Sequence, residues 1–338
     1  MNQLGILLGL LMLLSACSSK KYLAEGEYLL DKVRITSDST FRQNTSMFSG
    51  YVRQQPNSRW VSMVKLPLGI YLMTSPESNT SFSKFIRKMG EAPVVYDTLL
   101  SERSRQRIQD AMFNMGYLHA TVTTHEQYFG HKVQVRYDIT PNERYHVESI
   151  DVVVRDTAIA REISLISDAS LLKEGIPLDA NLLNQERSRI TNHMTDNGYY
   201  SFNRDFIRFE VDTLRGSSKV RMRMIVSEYV TSTDKSRHPH QKYRIGDVNF
   251  SYDRSSGSPI WFRKSLLNSA SRLVSGDIFR ESNVSETYAR INRLGAVAAT
   301  NVRMEPNQQD SSLLDANIVI TPSRLNSVSL GLDGTNTA

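Results

Sequence analysis

The sequence predicts an α+β fold: three tandem β-α-α-β-β units, each a small three-stranded sheet covered on one face by two helices. Three observations carry this expectation. A marker pattern occurs three times, a helical period precedes each marker glycine, and strand patterns follow it. The first copy runs from Gly90-Glu91-Ala92-Pro93 through Arg107-Ile108 to Asn114-Met115-Gly116-Tyr117. The second runs from Glu174-Gly175-Ile176-Pro177 through Arg189-Ile190 to Asp196-Asn197-Gly198-Tyr199, and the third from Ser275-Gly276-Asp277 through Arg290-Ile291 to Arg293-Leu294-Gly295. Gly116, Gly198 and Gly295 lie 82 and 97 residues apart, the size of a small domain and not of a solenoid repeat.

The elements follow in order. Tyr28 to Ile35, Ile150 to Val154 and Arg244 to Tyr252 have strand composition and open the three units. In the first unit a long irregular stretch, Thr36 to Ser81, precedes a helix on which Phe82, Phe85, Ile86 and Met89 stand at offsets 0, 3, 4 and 7. Ile159 to Leu172 and Trp261 to Leu273 take that place in the other units. The second helix of unit one carries Ile108, Ala111, Met112 and Met115 at the same offsets and ends at Gly116, where a residue tolerating positive φ is wanted. Ile190 and Met194 mark the second such helix, and Val284, Tyr288 and Ile291 the third. The hairpins come last. Val133, Val135, Tyr137 and Ile139 alternate with polar residues, as do Ile207, Phe209 and Val211, which a turn at Arg215-Gly216-Ser217-Ser218 joins to Val220, Met222, Met224 and Val226. Val297 to Met304 and Leu314 to Ile320 form the last pair.

Length and composition agree with several folded domains. The chain has 338 residues, 40% of them hydrophobic and 22% charged. Its net charge of +6 is spread beside acids, as in Ser101-Glu102-Arg103-Ser104-Arg105, which argues for a mildly basic solvated surface and against nucleic-acid binding. A lone cysteine excludes an internal disulfide and a Cys-pair zinc site. That cysteine ends Leu14-Ser15-Ala16-Cys17, directly after an apolar run from Leu4 to Leu14 that is too short to span a bilayer, which takes about 20 residues.

Leu14-Ser15-Ala16-Cys17 resembles the lipobox of bacterial lipoproteins, although Met1-Asn2-Gln3 supplies no Lys or Arg ahead of the apolar run. The resemblance implies cleavage before Cys17 and acylation of its thiol and new amino terminus, palmitate included, making it a membrane anchor. The β-α-α-β-β order with Gly116-Tyr117-Leu118-His119-Ala120-Thr121-Val122 and Gly198-Tyr199-Tyr200 resembles POTRA domains of the BamA/TamA outer-membrane assembly superfamily. The opening Lys21-Tyr22-Leu23-Ala24-Glu25-Gly26-Glu27-Tyr28-Leu29-Leu30, with Gly90-Glu91-Ala92-Pro93-Val94, further resembles its lipidated TamA-like (TamL) branch of Bacteroidetes. On this basis residues 1–16 are a signal peptide, 17–145 a first domain with an insertion at 36–81, 146–230 a second, 231–242 a linker and 243–323 a third. Residues 324–338, in which Val328, Leu330 and Leu332 alternate with Ser329, Gly331 and Asp333, resemble the first strand of a barrel whose other strands are missing.

The family resemblance implies a periplasmic array, lipid-anchored at the outer membrane, that handles nascent β-barrel proteins or a TamB-like periplasmic partner and needs no cofactor. It implies that the first strand of each hairpin lies at a sheet edge: Leu118 to Thr124, Asp205 to Asp212 and Val297 to Met304. Such an edge can take an extended client by backbone pairing. The candidate contact residues are Ile207, Phe209, Val211, Leu118 and Val122.

Enzymatic chemistry has little support. No Gly-x-Ser-x-Gly, His-Glu-x-x-His or phosphate-binding glycine loop occurs. His119, His125 and His131 recur every six residues, which suits neither a helix face nor a metal site, and His238-Pro239-His240 falls in the polar stretch Thr231 to Lys242. Glu91 and Asp97 are a carboxylate pair without a surrounding pocket. Two further readings stay open: a lipoprotein scaffold whose units only space or bind a partner, and a cell-wall-binding lipoprotein using Trp60, Tyr71 and Trp261.

Overall fold

The computed structural model describes residues 19–39, 41, 43–59, 65–230, 236–253 and 261–323. Cys17, Trp60 and the 324–338 tail lie outside them. The described residues gather into two compact units. One contains the chain to Val147 with Gly175–Asn181 and Thr213–Val220; the other contains Glu148–Glu174, Leu182–Asp212 and the chain from Arg221 onward.

Three three-stranded sheets are present. The first joins β1 (Leu29–Ser37), β2 (Thr121–Phe129) and β3 (Lys132–Thr140) in the order β1-β3-β2. The second joins β4 (His146–Val154), β5 (Ile207–Thr213) and β6 (Lys219–Val226) in the order β4-β6-β5. A two-residue pair, β7 (Tyr229–Val230) with β8 (Arg237–His238), precedes the third sheet, where β9 (Arg244–Tyr252), β10 (Val297–Pro306) and β11 (Leu313–Pro322) take the order β10-β11-β9. In the first and third sheets the opening strand runs parallel to the last strand and the hairpin is antiparallel, Leu30 facing Val133 and Val122 facing Ile139. The opening strand therefore crosses over to the middle of its own hairpin, and the hairpin's first strand is left at an end. This is the α+β arrangement expected from the repeats.

The helices are α1 (Leu66–Leu72), α2 (Ser81–Met89), α3 (Thr98–Asn114), α4 (Thr157–Leu165), α5 (Ala180–Asp196), α6 (Lys264–Ala270) and α7 (Glu281–Asn292). Capping follows local chemistry, with Asp97 accepting from the Leu99 and Leu100 N–H groups at 2.7 and 3.2 Å, and Asp156 from those of Ala158 and Ile159. The strictly alternating β3 buries Val133, Val135, Tyr137 and Ile139 against Ile108, Ala111 and Met112 of α3. In the second unit, Ile159 and Ile163 of α4 and Ile190 and Met194 of α5 pack with Ile207, Met224 and Val226. Leu267, Phe279 and Ile291 do the same with Leu314, Ala316, Ile318 and Ile320.

Several boundaries depart from the sequence reading. The stretch from Thr36 to Ser81 is not irregular throughout: Thr36 and Ser37 complete β1, and a 3-10 turn at Thr45–Tyr51 and helix α1 follow. The helix expected over Ile159 to Leu172 is the nine-residue Thr157–Leu165 followed by a short 3-10 turn at Ser167–Ala169, and the helix expected from Trp261 begins only at Lys264. The larger correction concerns α2. Its apolar residues were expected to cover the first sheet. Instead Phe48, fully buried on the 3-10 turn, fills that core with Phe41 and Val52, while Phe82, Phe85 and Met89 are 72%, 58% and 60% exposed. Periodicity identifies an apolar face but not what that face meets, and here the inserted turn reaches the sheet first.

Candidate functional site: the open sheet edges

A three-stranded sheet has two end strands, and in each sheet one of them is closed at its start. The closing segment is the recurrent marker before the second helix. In the first sheet the Leu30 N–H donates to Val94 O at 2.8 Å and the Tyr96 N–H to Tyr28 O at 2.7 Å. Beside β4, the Val147 N–H donates to Ile176 O at 2.9 Å and the Gly175 N–H to Val147 O at 2.7 Å. Beside β9, the Ile245 N–H donates to Asp277 O and the Gly276 N–H to Ile245 O, both at 2.8 Å. The same short antiparallel bridge thus satisfies the outer backbone of each opening strand. This explains why Glu91 to Val95, Gly175 to Pro177 and Gly276 to Ile278 recur. It leaves β2, β5 and β10 as the other ends.

The three differ in what already engages them. On β2 the Gln109 side chain accepts from the Val122 N–H at 3.2 Å and the Arg105 guanidinium donates to Val122 O at 3.3 Å. Both backbone groups of Val122 therefore point away from β3 and are taken. In an antiparallel ladder this outward orientation alternates, so Thr124, Glu126 and Tyr128 present the next outward groups. Leu118 is not in a strand: it sits in the turn before β2, where the Ala120 N–H donates to Tyr117 O at 3.0 Å, and β2 starts at Thr121. The outer part of β2 ends in exposed Tyr128 and Phe129. Tyr96 and Tyr128 both donate to the Glu126 carboxylate. For Tyr128 that hydrogen bond, followed by burial and the Glu126 charge, pushes the phenol up to about 12.

On β5, Ile207 is buried, Phe209 half-buried under the Arg187 guanidinium at 5.2 Å from its ring centroid, and Val211 exposed; from Glu210 onward every side chain faces solvent. Asp205, expected to begin this strand, lies in a 3-10 turn spanning Arg204–Phe206. On β10 the Tyr200 hydroxyl donates to Met304 O at 3.1 Å, so that edge is partly occupied by a residue of the preceding repeat, which lies in the same compact unit. Charges on these strands, such as Glu126, Arg208, Glu210, Asp212 and Arg303, discourage pairing with identical chains without filling the backbone groups.

The marker glycines also seat the strand that follows them. The Tyr145 N–H donates to Gly116 O at 2.9 Å, and the Tyr243 N–H to Gly198 O at 2.8 Å. Each following tyrosine carbonyl then accepts from the next marker segment, from Leu178 at 2.8 Å and from Phe279 at 3.0 Å. Gly116 and Gly198 have φ of +88° and +97°. A Cβ on Gly116 would sit 2.2 Å from Leu178 O, and one on Gly198 3.1 Å from the Ile278 Cγ2. The glycine is therefore both a helix terminator and the seat of the next strand.

Residues that sequence reasoning missed lie four positions before the fully buried isoleucine of each second helix. Ser104, Glu186 and Thr287 are buried there, and each accepts a backbone N–H from the preceding loop: Arg53 at 2.9 Å, Leu171 at 3.1 Å and Arg272 at 2.8 Å. The available signal was position, since Ile108, Ile190 and Ile291 align, but the three side chains share no chemistry beyond an acceptor oxygen. The described part of the 231–242 linker, residues 236–242, is also more engaged than its polarity suggested. His240 is buried between Phe202 and Phe206, at 5.0 and 4.6 Å, its N–H donates to Asp156 Oδ2 at 2.7 Å, and its Nε2 is 3.0 Å from Ser227 O.

The other candidates each have local partners. Glu91 accepts from the Ser58 N–H and hydroxyl, and Asp97 caps α3. Tyr71 packs on Tyr22, and Trp261 on Tyr252. His119 lies 3.0 Å from the Tyr145 hydroxyl and His125 3.3 Å from Asp138. Among the described residues no group of three or more His, Cys, Asp or Glu is placed to hold a metal ion, and no helix is long and apolar enough to cross a membrane.

The fold thus defines a class: a tandem array of β-α-α-β-β units in which a marker segment bridges the start of each opening strand and the first hairpin strand ends the sheet. No family model and no curated protein matches the chain. Among solved structures, the chain is similar to POTRA domains 3–5 of BamA from Haemophilus influenzae, with 16% identity, 88% of this chain and 99% of that chain covered, and a TM-score of 0.46. It is also similar to POTRA domains 1–3 of the periplasmic domain of Omp85 from Anabaena (13% identity, 88% and 97% covered, TM-score 0.29) and to the N-terminal domain of Omp85 from Thermosynechococcus elongatus (11% identity, 89% and 100% covered, TM-score 0.27).

Proposed function

We propose that this chain is a periplasmic POTRA array of an outer-membrane protein assembly factor, anchored through acylated Cys17, which receives extended segments of nascent β-barrel proteins by strand addition. The observation that carries the reading is the recurrent bridge between each opening strand and its marker segment, which places β2, β5 and β10 at the opposite ends of the sheets. Closing β1, β4 and β9 with the marker segment leaves backbone groups of β5 and of β2 beyond Val122 to pair with an incoming strand. Backbone pairing is largely indifferent to client side chains, which suits a factor that handles many barrels. Ile207, Phe209 and Val211 lie along the favoured edge, and the half-buried Phe209 ring offers an apolar contact to alternate side chains of the client.

The test is site-specific photo-crosslinking in cells from exposed positions Glu210 and Thr123, combined with proline substitution. Phe209→Pro removes a backbone donor from β5, and Glu126→Pro removes one that faces away from β3. Crosslinks to unfolded barrel chains are expected at both positions and to fall at least about fivefold in the matching proline variant. Unchanged crosslinking in a variant that keeps its circular dichroism spectrum refutes edge pairing. Mass spectrometry of the membrane-extracted protein tests the anchor separately, since retention of residues 1–16 or an unmodified Cys17 overturns it.

A further inference from the structure

Helix α2 has an apolar face that its own domain does not use. Phe82, Phe85 and Met89 stand on one side at offsets 0, 3 and 7 and are mostly exposed, whereas the side that packs inward carries buried Ser83 and half-buried Ile86 and Arg87. Arg87 is turned back onto Ser78 O and Ser83 O. Lys84 and Lys88 remain, both exposed and one turn apart, and the helix holds no acidic residue. An apolar strip flanked by lysines on a short helix is the composition of an element that lies in the boundary between headgroups and acyl chains, its rings sunk below the surface and its ammonium groups among phosphates.

The helix is held in place by the segment that follows Cys17. The Tyr22 ring lies 5.1 Å from that of Tyr71 on α1, its hydroxyl 2.7 Å from Thr74 Oγ1, and the Lys21 ammonium donates to Thr74 O. Tyr22 and Leu23 also pack against buried Leu29, Leu68 and Leu72. Helix α2 is fastened to α1 in turn: the Glu91 N–H donates to Pro67 O at 3.0 Å, and Gly90 approaches so closely that an added Cβ would be 2.6 Å from the Tyr71 nitrogen. Four residues lie between Cys17 and Tyr22, and the five Cα–Cα steps reach at most about 18 Å when extended. The point where acyl chains would enter a bilayer is therefore tied to the α1–α2 pair.

We propose that α2 docks on an anionic phospholipid surface through Phe82, Phe85 and Met89, with Lys84 and Lys88 binding headgroup phosphates. The docking deepens the anchored-array reading and rests on it for the placement of Cys17 at the membrane. It fixes the orientation of the first domain on the bilayer, which a flexible lipid tether alone does not do.

The experiment uses the full chain carrying Ser81→Cys, a nitroxide label on that thiol, and vesicles of phosphatidylethanolamine with phosphatidylglycerol. Collision accessibility to oxygen and to a water-soluble nickel chelate reports depth, with Gln127→Cys on β2 as the aqueous control. The label at 81 is expected at the headgroup boundary. Its docked fraction should fall at least about tenfold in Phe82→Ser/Phe85→Ser and at least about fivefold per lysine in Lys84→Glu/Lys88→Glu. Both variants alter exposed side chains, and an unchanged thermal melt confirms that they fold. A label that stays aqueous on these vesicles overturns the docking. So does one that becomes protected without lipid as protein concentration rises, which would make a second copy the occupant. The mass of Cys17 in the same samples separates the two readings. An aqueous label with Cys17 acylated sinks the docking alone. Where Cys17 is unmodified, which sinks the anchor, its free thiol would also take the label, so Ser81→Cys is then labelled in a Cys17→Ser chain. A docked label there sustains the docking, while an aqueous one overturns it.

Discussion

Replacing Gly116 with alanine tests the joint at which one β-α-α-β-β unit seats the next strand. Three costs combine. Alanine at φ of +88° sits in left-handed space, which costs roughly 1–2 kcal/mol. The new Cβ would stand 2.2 Å from Leu178 O, a backbone atom that cannot rotate away, so the strand segment must shift. That shift breaks the 2.9 Å bond from the Tyr145 N–H to Gly116 O, worth about 1 kcal/mol. The loss of glycine entropy in the unfolded chain returns about 0.4–1 kcal/mol. These terms leave about 1–2.5 kcal/mol, to which the strain of moving the Leu178 backbone adds. Gly198→Ala, at φ of +97°, meets a side-chain methyl at 3.1 Å that can yield, and should cost about 1–2 kcal/mol. A global melt is a poor measure in a multidomain chain, where unfolding is not two-state. Hydrogen exchange with peptide-level mass analysis reads the joint directly, through protection of the Tyr145 amide in one variant and the Tyr243 amide in the other. If Tyr145 protection is unchanged in Gly116→Ala, or if Gly198→Ala costs as much, the steric argument is wrong.

Two further outcomes follow from buried polar groups. Burial pushes Glu186 up, but hydrogen bonds from Arg189, the Leu171 N–H and Ser170 outweigh it and hold the carboxyl below its ordinary value of 4.5. A carboxyl lowered in the folded state stabilises above that value and loses its contribution as pH falls through the folded pKa. Glu186→Gln should therefore cost about 1.5–3 kcal/mol at pH 7 and progressively less below pH 4.5, read as hydrogen-exchange protection of the Leu171 amide in wild type and variant from pH 7 down to pH 3; a gap that does not narrow on acidification refutes it. His240→Ala removes a ring packed between Phe202 and Phe206 and should cost about 2 kcal/mol, opening the 236–242 segment to limited proteolysis. Cleavage no faster than in the wild type would return that segment to the status of a free linker.

The sequence alone determined the repeat, because the unit is built from local signals. A 3.6-residue period ending at glycine, followed by two alternating strands, appears three times, and β9 runs from Arg244 to Tyr252 in both sequence and structure. The alternating residues of β3, β6 and β11 were legible for the same reason: one face of a sheet is buried, and a period of two shows which. Tertiary structure alone decided what meets what. The apolar stripe of Phe82, Phe85 and Met89 is clear in the sequence, yet Phe48 takes the core position, since an insertion can deliver a competing ring to the same sheet. The marker segments were visible as repeats, but their role in closing β1, β4 and β9 depends on backbone bonds between residues 28 to 68 positions apart. The same holds for Val122, an edge residue by family resemblance whose backbone is already held by Arg105 and Gln109 from across the helix–sheet interface. A residue's period fixes the face it belongs to, while its partners depend on which distant segment arrives there.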